Sequence, residues 1–297
     1  MEDHDHGLEA DLQVMMRMPT DRRQSLRWLL AGGALSMLGC GGGSSDSTAS
    51  ADTTSSGSTN SGTGSSNTGS TGSGSTNTGS GATCTAIPEE TGGPYPADGT
   101  NSTSGGVVNV LNLSGIVRQD IRSSFGGPTG TAAGVPLAIK LRILNANNSC
   151  GAASSFSVYL WHCDREGRYS LYSSGVTNQN YLRGVQEADA NGDITFTTIF
   201  PGCYDGRMPH VHFEVYRTLA ASTSASNRIK TSQFTFPMAT LNEVYASTGY
   251  SSSATNLTRI SYTTDMVFSD GYSLQLASIT GNTTDGYVAT LTLAVVA

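Results

Sequence analysis

The sequence predicts an all-β fold, a β-sandwich over residues 83–297, and three observations carry that prediction. Short runs rich in Val, Ile, Leu, Phe and Tyr recur between Gly, Pro, Asn and Asp turn signals. Only 13% of the residues are charged while 36 are glycine, a balance that suits an exported β protein better than a cytosolic helical one. Only 240–247 and 179–183 look able to make helical turns.

Taken in order, the strand-like runs are 107–117, 135–144, 156–163, 194–200, 211–216, 231–236, 262–268, 273–279 and 287–296. Roughly two hundred residues of this kind are enough for one domain with a substantial core. The formal net charge is -7, and no basic stripe interleaved with aromatics is present, which argues against nucleic acid as a partner. No run in the body of the chain is long and apolar enough for a transmembrane helix.

The first forty residues read as an address. Arg22 and Arg23 precede a short apolar run, 28–38, that ends in Gly39-Cys40. This resembles a twin-arginine export signal joined to a lipoprotein cleavage site, with Cys40 as the acylated first mature residue. An export segment of ordinary length would begin at Met15, Met16 or Met18. Residues 41–82 are almost wholly Gly, Ser, Thr and Asn, too polar to offset the entropy of ordering, and so read as a flexible tether. The expected location is exported, periplasmic or at the cell surface, with membrane contact only through the lipid anchor.

The chemistry is expected in the stretch 200–213, FPGCYDGRMPHVHF. Residues two apart on a strand share a face, so His210 and His212 aim two imidazoles at one point, a metal-ligand spacing. Val211, Phe213 and Val215 alternate with His210, His212 and Glu214, apolar against polar. Pro201-Gly202 and Asp205-Gly206 mark turns just before, and Tyr204 and Arg207 lie on that approach. Besides Cys40 there are four cysteines, Cys84, Cys150, Cys163 and Cys203. In an exported protein they read as two disulfides with three possible pairings; a thiolate metal site is disfavoured because no CxxC pair is present.

Three further segments join this one: 88–98 (PEETGGPYPAD), 158–169 (VYLWHCDREGRY) and 181–204 (YLRGVQEADANGDITFTTIFPGCY). Together with GRMPHVHF they resemble the intradiol ring-cleavage dioxygenases, the non-haem ferric enzymes that include catechol and protocatechuate dioxygenases. The resemblance implies Fe(3+) held by Tyr169, Tyr204, His210 and His212, with Arg207 as the active-site arginine and Gln233 as the glutamine lining the pocket. It implies cleavage of a catechol-type diol with O2 to a cis,cis-muconate-type diacid, with Tyr204 the ligand that substrate displaces. Phenolates are hard anionic donors suited to ferric iron, and a bound trivalent ion deprotonates them outright. With these residues at one site, the favoured disulfides are Cys163 with Cys203 and Cys84 with Cys150. Only DGRMP separates Tyr204 from His210, shorter than in the well-known soluble enzymes and similar to the exported branch. A monomer or small homo-oligomer is the implied assembly. The alternative is a catalytically inactive, surface-anchored sandwich that binds an aromatic or carbohydrate ligand. A cupin-like site using Glu214 is disfavoured, because Glu214 follows His212 too closely and Tyr169 is then unexplained.

Overall fold

Alternation of buried and exposed side chains decides how the strands stack. The computed structural model describes residues 84–297; the signal segment with Cys40 and the linker lie outside the described residues. In chain order the strands are β1 (Asp98–Thr103), β2 (Gly106–Asn109), β3 (Pro136–Asn145), β4 (Gly151–Ala152), β5 (Ser157–Trp161), β6 (Arg183–Glu187), β7 (Asp193–Ile199), β8 (His210–Tyr216) and β9 (Arg228–Thr235), followed by helices α1 (Met238–Tyr245) and α2 (Ser251–Leu257), then β10 (Ser278–Asn282) and β11 (Gly286–Val295). One sheet runs β10-β11-β3-β4 with β7 also on β3; the other runs β6-β5-β8-β9. Strands β3 and β11 pair in parallel, Leu137 beside Tyr287 through Asn145 beside Val295.

In β3, Leu137, Ile139, Leu141 and Ile143 are buried while Lys140 and Arg142 face water. That is a sheet with one solvated face. Its apolar face meets Val158 and Leu160 of β5, Val211, Phe213 and Val215 of β8, and Phe234 of β9 in one continuous core. Each such side chain, fully buried, stabilises the fold by ~1.5–3 kcal/mol. The four-stranded sheet differs, since β5 and β8 are buried at every position. Its second face carries another cluster, Tyr159 and Trp161 with Val185, Tyr169, Tyr204 and Tyr216. Polar residues that alternation would send to solvent are therefore enclosed, and this covered face holds the site.

The N-terminal arm ties the two sheets together. Ile87 N–H donates to the Ala294 carbonyl of β11 and Glu90 N–H to the Thr231 carbonyl of β9, both at 2.9 Å. Cys84 is bonded to Cys150 at the turn after β3, as expected. The expected Cys163–Cys203 bridge is not formed. Both are free and buried, with Cys163 Sγ directed to the Gly202 carbonyl (3.5 Å) and Cys203 Sγ to the Arg207 carbonyl (3.4 Å). Burial pushes both thiols up, Cys203 to about 12, so they are unreactive.

Other expectations are corrected too. The run 262–268 is turns rather than a strand, because Asp265 inside it is drawn to a buried arginine. Within 273–279 only the last two residues belong to β10, and 179–183 is not a helical turn but irregular chain that bends at Leu182, in left-handed backbone, and enters β6 at Arg183. From the run 107–117 only the first three residues are strand, and Val107 and Val117 are exposed. Helix α1 covers most of the expected 240–247 turn, beginning two residues earlier. Among the described residues no helix is long and apolar enough to cross a membrane.

Candidate metal centre

Strand β8 sets the row. His212 lies between Trp161 of β5 and Gln233 of β9, and His210 pairs with Thr235. The Trp161 ring stacks on His212 at 4.9 Å and 2°, which fixes the plane of the imidazole. His210 is fixed by a hydrogen bond of 2.6 Å from its Nδ1 to the Met208 carbonyl. A carbonyl can only accept, so Nδ1 carries the proton and Nε2 presents a lone pair. Burial, and then nearby Arg207, lowers His210 to about 3; burial and then His210 hold His212 well below its ordinary value. Both rings are thus neutral.

The two tyrosines arrive on loops whose shape is set by one carboxylate and two glycines. Asp164 Oδ1 accepts from the backbone N–H of Glu166 and Arg168, and Oδ2 from Arg168 Nε, all at 3.0 Å. This closes the turn that delivers Tyr169. Gly167 has φ +87°, and a Cβ there would lie 2.9 Å from the Cβ of Tyr204; a Cβ on Gly202 would lie 2.6 Å from the Arg165 carbonyl oxygen. The two ligand loops therefore pack backbone to backbone. Helix α2 holds the second loop, with Cys203 N–H donating to Ser253 Oγ and Asn256 Nδ2 to the Cys203 carbonyl, both 2.9 Å. Gly167→Ala is expected to cost at least ~1–2 kcal/mol from the left-handed backbone alone, and to displace Tyr204 besides. Denaturant midpoints and iron content together check it; full iron occupancy in the variant would show that the close packing does not matter.

Four donor atoms converge. Tyr169 Oη and Tyr204 Oη each lie 3.3 Å from His210 Nε2, and His212 Nε2 lies 3.0 Å from it. All four side chains are at most 6% exposed, Tyr204 being the most accessible. One lone pair on His210 cannot serve three neighbours by hydrogen bonding. Donors that each lie ~2.0–2.2 Å from a shared metal ion, however, sit about 3 Å from one another. The residues present fit a metal ion in both spacing and donor type. Among the described residues no three of His, Cys, Asp and Glu gather as a metal cluster; here half the donors are phenols.

Arg207 is completely buried beside this centre. Its Nη2 donates to Gln233 Oε1 (2.8 Å), and Gln233 Nε2 donates to the Thr91 carbonyl (2.8 Å). Gln233 is thus a brace between the arginine and the N-terminal arm. Arg207 Nε donates to Oδ2 of Asp265 at 3.1 Å, an ion pair with both side chains 0% exposed. Burial raises the Asp265 carboxyl, but Arg207 and N–H bonds from Met208 and Val267 outweigh it and hold the group below its ordinary range. Arg183, also buried, clamps the roof: it donates to the carbonyls of Tyr95 (2.9 Å), Pro96 (3.1 Å) and Ser170 (3.0 Å). Asp265 and Arg183 are absent from the sequence-predicted site. The signal for Asp265 was a charge inside an apolar run. His162 faces elsewhere, with Nε2 2.7 Å from Thr198 Oγ1.

Glu214, next on the polar face of β8, takes a hydrogen bond from Tyr216 Oη. Burial, then the charge of Asp98, pushes its carboxyl up to about 8. Between the ordinary glutamate value of ~4.3 and about 8, the folded protein keeps a proton that the unfolded chain has released. Stability therefore falls as pH rises through that window. Glu214→Gln, neutral throughout, is expected to flatten the profile, leaving the slope from Glu90, whose carboxyl burial also pushes up to about 8. Urea unfolding at pH 5 and pH 8 reads this directly; an unchanged difference between the two would contradict it.

Comparison with known proteins bears on the fold. Residues 118–232 match the family model described as Dioxygenase, a span that contains Tyr169, Tyr204, Arg207, His210 and His212 and stops one residue before Gln233. No curated protein matches the sequence. Among solved structures, an intradiol ring-cleavage dioxygenase from Tetranychus urticae is similar at TM-score 0.56 and 23% identity, over 72% of this chain and 95% of its own. A second solved dioxygenase gives TM-score 0.51 at 24% identity, over 61% of this chain and 86% of its own. At these identities the likeness is one of fold, and it is the same sandwich. The chain thus resembles the dioxygenases over residues 118–232 and shares the fold of a solved intradiol ring-cleavage dioxygenase.

Proposed function

We propose that the protein is a non-haem Fe(III)-dependent intradiol dioxygenase that opens a catechol-type ring between its two hydroxylated carbons, placing both atoms of O2 in a cis,cis-muconate-type diacid. The observation that carries this is the convergence of two tyrosine oxygens and two imidazole nitrogens at 3.0–3.3 Å. Tyr169, Tyr204, His210 and His212 would hold the ion, which when bound supplies a positive centre that chelates the diol and withdraws electron density from its ring.

The chain's own residues do the rest. Tyr204 is the most exposed of the four donors, so it is the one an incoming diol reaches first. Its Oη would take a substrate proton, acting as base. Tyr169, His210 and His212 stay in place, held by loop, peptide and Trp161 stacking. Arg207 presents a guanidinium in a water-excluded setting, where it stabilises negative charge developing on the substrate far better than at a surface. Export through the twin-arginine-like segment, with anchoring at Cys40, would set this chemistry outside the cytoplasm.

The test is an anaerobic visible spectrum of the iron-loaded protein, before and after adding catechol. A tyrosinate-to-iron band that moves to longer wavelength supports the reading. Iron-supplied protein with no such band overturns it.

A further inference from the structure

Asp265 has a place in this centre that goes beyond pairing a charge. Its Oδ1 accepts from the N–H groups of Val267 (2.8 Å) and Phe268 (3.2 Å), which fixes the carboxylate within its own turn. Oδ2 is thereby aimed at two donors, Arg207 Nε (3.1 Å) and Met208 N–H (2.6 Å). Of the two, Met208 leads directly to a convergent donor. Arg207 passes on to Gln233, and the Met208 carbonyl takes the Nδ1 proton of His210.

We infer that Asp265 is a positioning residue: one carboxylate oxygen sets the direction of the Arg207 guanidinium and, by anchoring the Met208 backbone, the orientation of His210. The Met208 N–H and carbonyl lie in adjacent peptide planes hinged at one Cα, so anchoring the N–H by a charge-assisted bond fixes where the carbonyl stands. A carbonyl held in place on Nδ1 keeps Nε2 aimed at the shared point, as outer partners of metal-bound histidines do generally. The same carboxylate therefore links the buried arginine to the orientation of His210. The inference rests on the ferric reading above for its ligand half, and on geometry alone for its arginine half.

The test uses the full chain with Asp265→Asn, which keeps the shape and the Oδ1 acceptor and removes the charge. Two quantities are read in folded protein: ferric iron affinity by titration of the apoprotein, and the exchange rate of the Arg207 Nε–H by NMR. The expected result is iron affinity weaker by ~10–100-fold, as for other outer partners of metal ligands, with markedly faster Nε–H exchange. A merely structural role lowers the melting temperature but leaves iron affinity and exchange as in the wild type, and that outcome overturns the inference. Should the single variant not fold, the double variant Arg207→Gln with Asp265→Asn removes both charges together. Weakened iron binding in it supports the inference, and wild-type iron binding sinks it. The exchange measurement needs no metal, so a wild-type protein that took up no iron would defeat the ferric reading while the hold on Arg207 was still judged.

Discussion

His210→Ala is expected to remove iron and with it all colour and ring cleavage. The other three donors all lie within 3.3 Å of His210 Nε2, so this side chain is the hub of the set. Its loss also frees the Met208 carbonyl that orients it. The activity loss should far exceed the ~10–100-fold typical of changes to outer partners. Elemental analysis and the visible spectrum check it. The control is His162→Ala, a histidine buried as deeply on the adjacent strand end but turned to Thr198. That variant should lose stability and keep iron. Equal iron loss in both would mean that general disruption, rather than ligation, explains the His210 result.

Arg207→Ala is expected to destabilise the fold severely as well as to impair turnover. It leaves the Asp265 carboxylate buried with its charge unmatched, an event that costs ~3–5 kcal/mol. For a domain of this size each kcal/mol moves the melting temperature by ~2–4 °C, so a fall on the order of 10 °C follows. Replacing both members by neutral residues should recover much of it, because the penalty belongs to the orphaned charge and not to the missing pair. Melting curves of the two singles and the double check this. Full additivity of the singles would show that the two groups do not depend on each other.

The site was legible in the sequence where local chemistry dictates geometry: His210 and His212 share a face because strand period is two. Tyr169 was reached through the family resemblance, and the turn that presents it, closed by Asp164 and Gly167, emerged from the structure. Asp265 was not legible, since its role depends on a contact with Arg207 58 positions away along the chain. The same long-range contact is why 262–268 is not the strand its apolar content suggested. Helix α2, with the sequence SSSATNL, has almost no intrinsic helical preference and is held by Ser253 and Asn256 reaching the Tyr204 loop. The Cys163–Cys203 expectation failed for a related reason. Adjacency to a common site places two thiols in one neighbourhood, but the backbone carbonyls nearest each of them set where the sulfurs point.

The Cys84–Cys150 bond has a mechanical consequence. Tension applied to the chain ahead of Cys84 enters the described domain at that residue and passes through the covalent bond into the turn after β3. The segment 85–98, which bears Thr91 and Tyr95 over the centre, lies outside that load path. A domain held by its N-terminal end could then be pulled and jostled without the strain reaching the roof of its own site, whereas reduction of this single bond would route the same force straight through it.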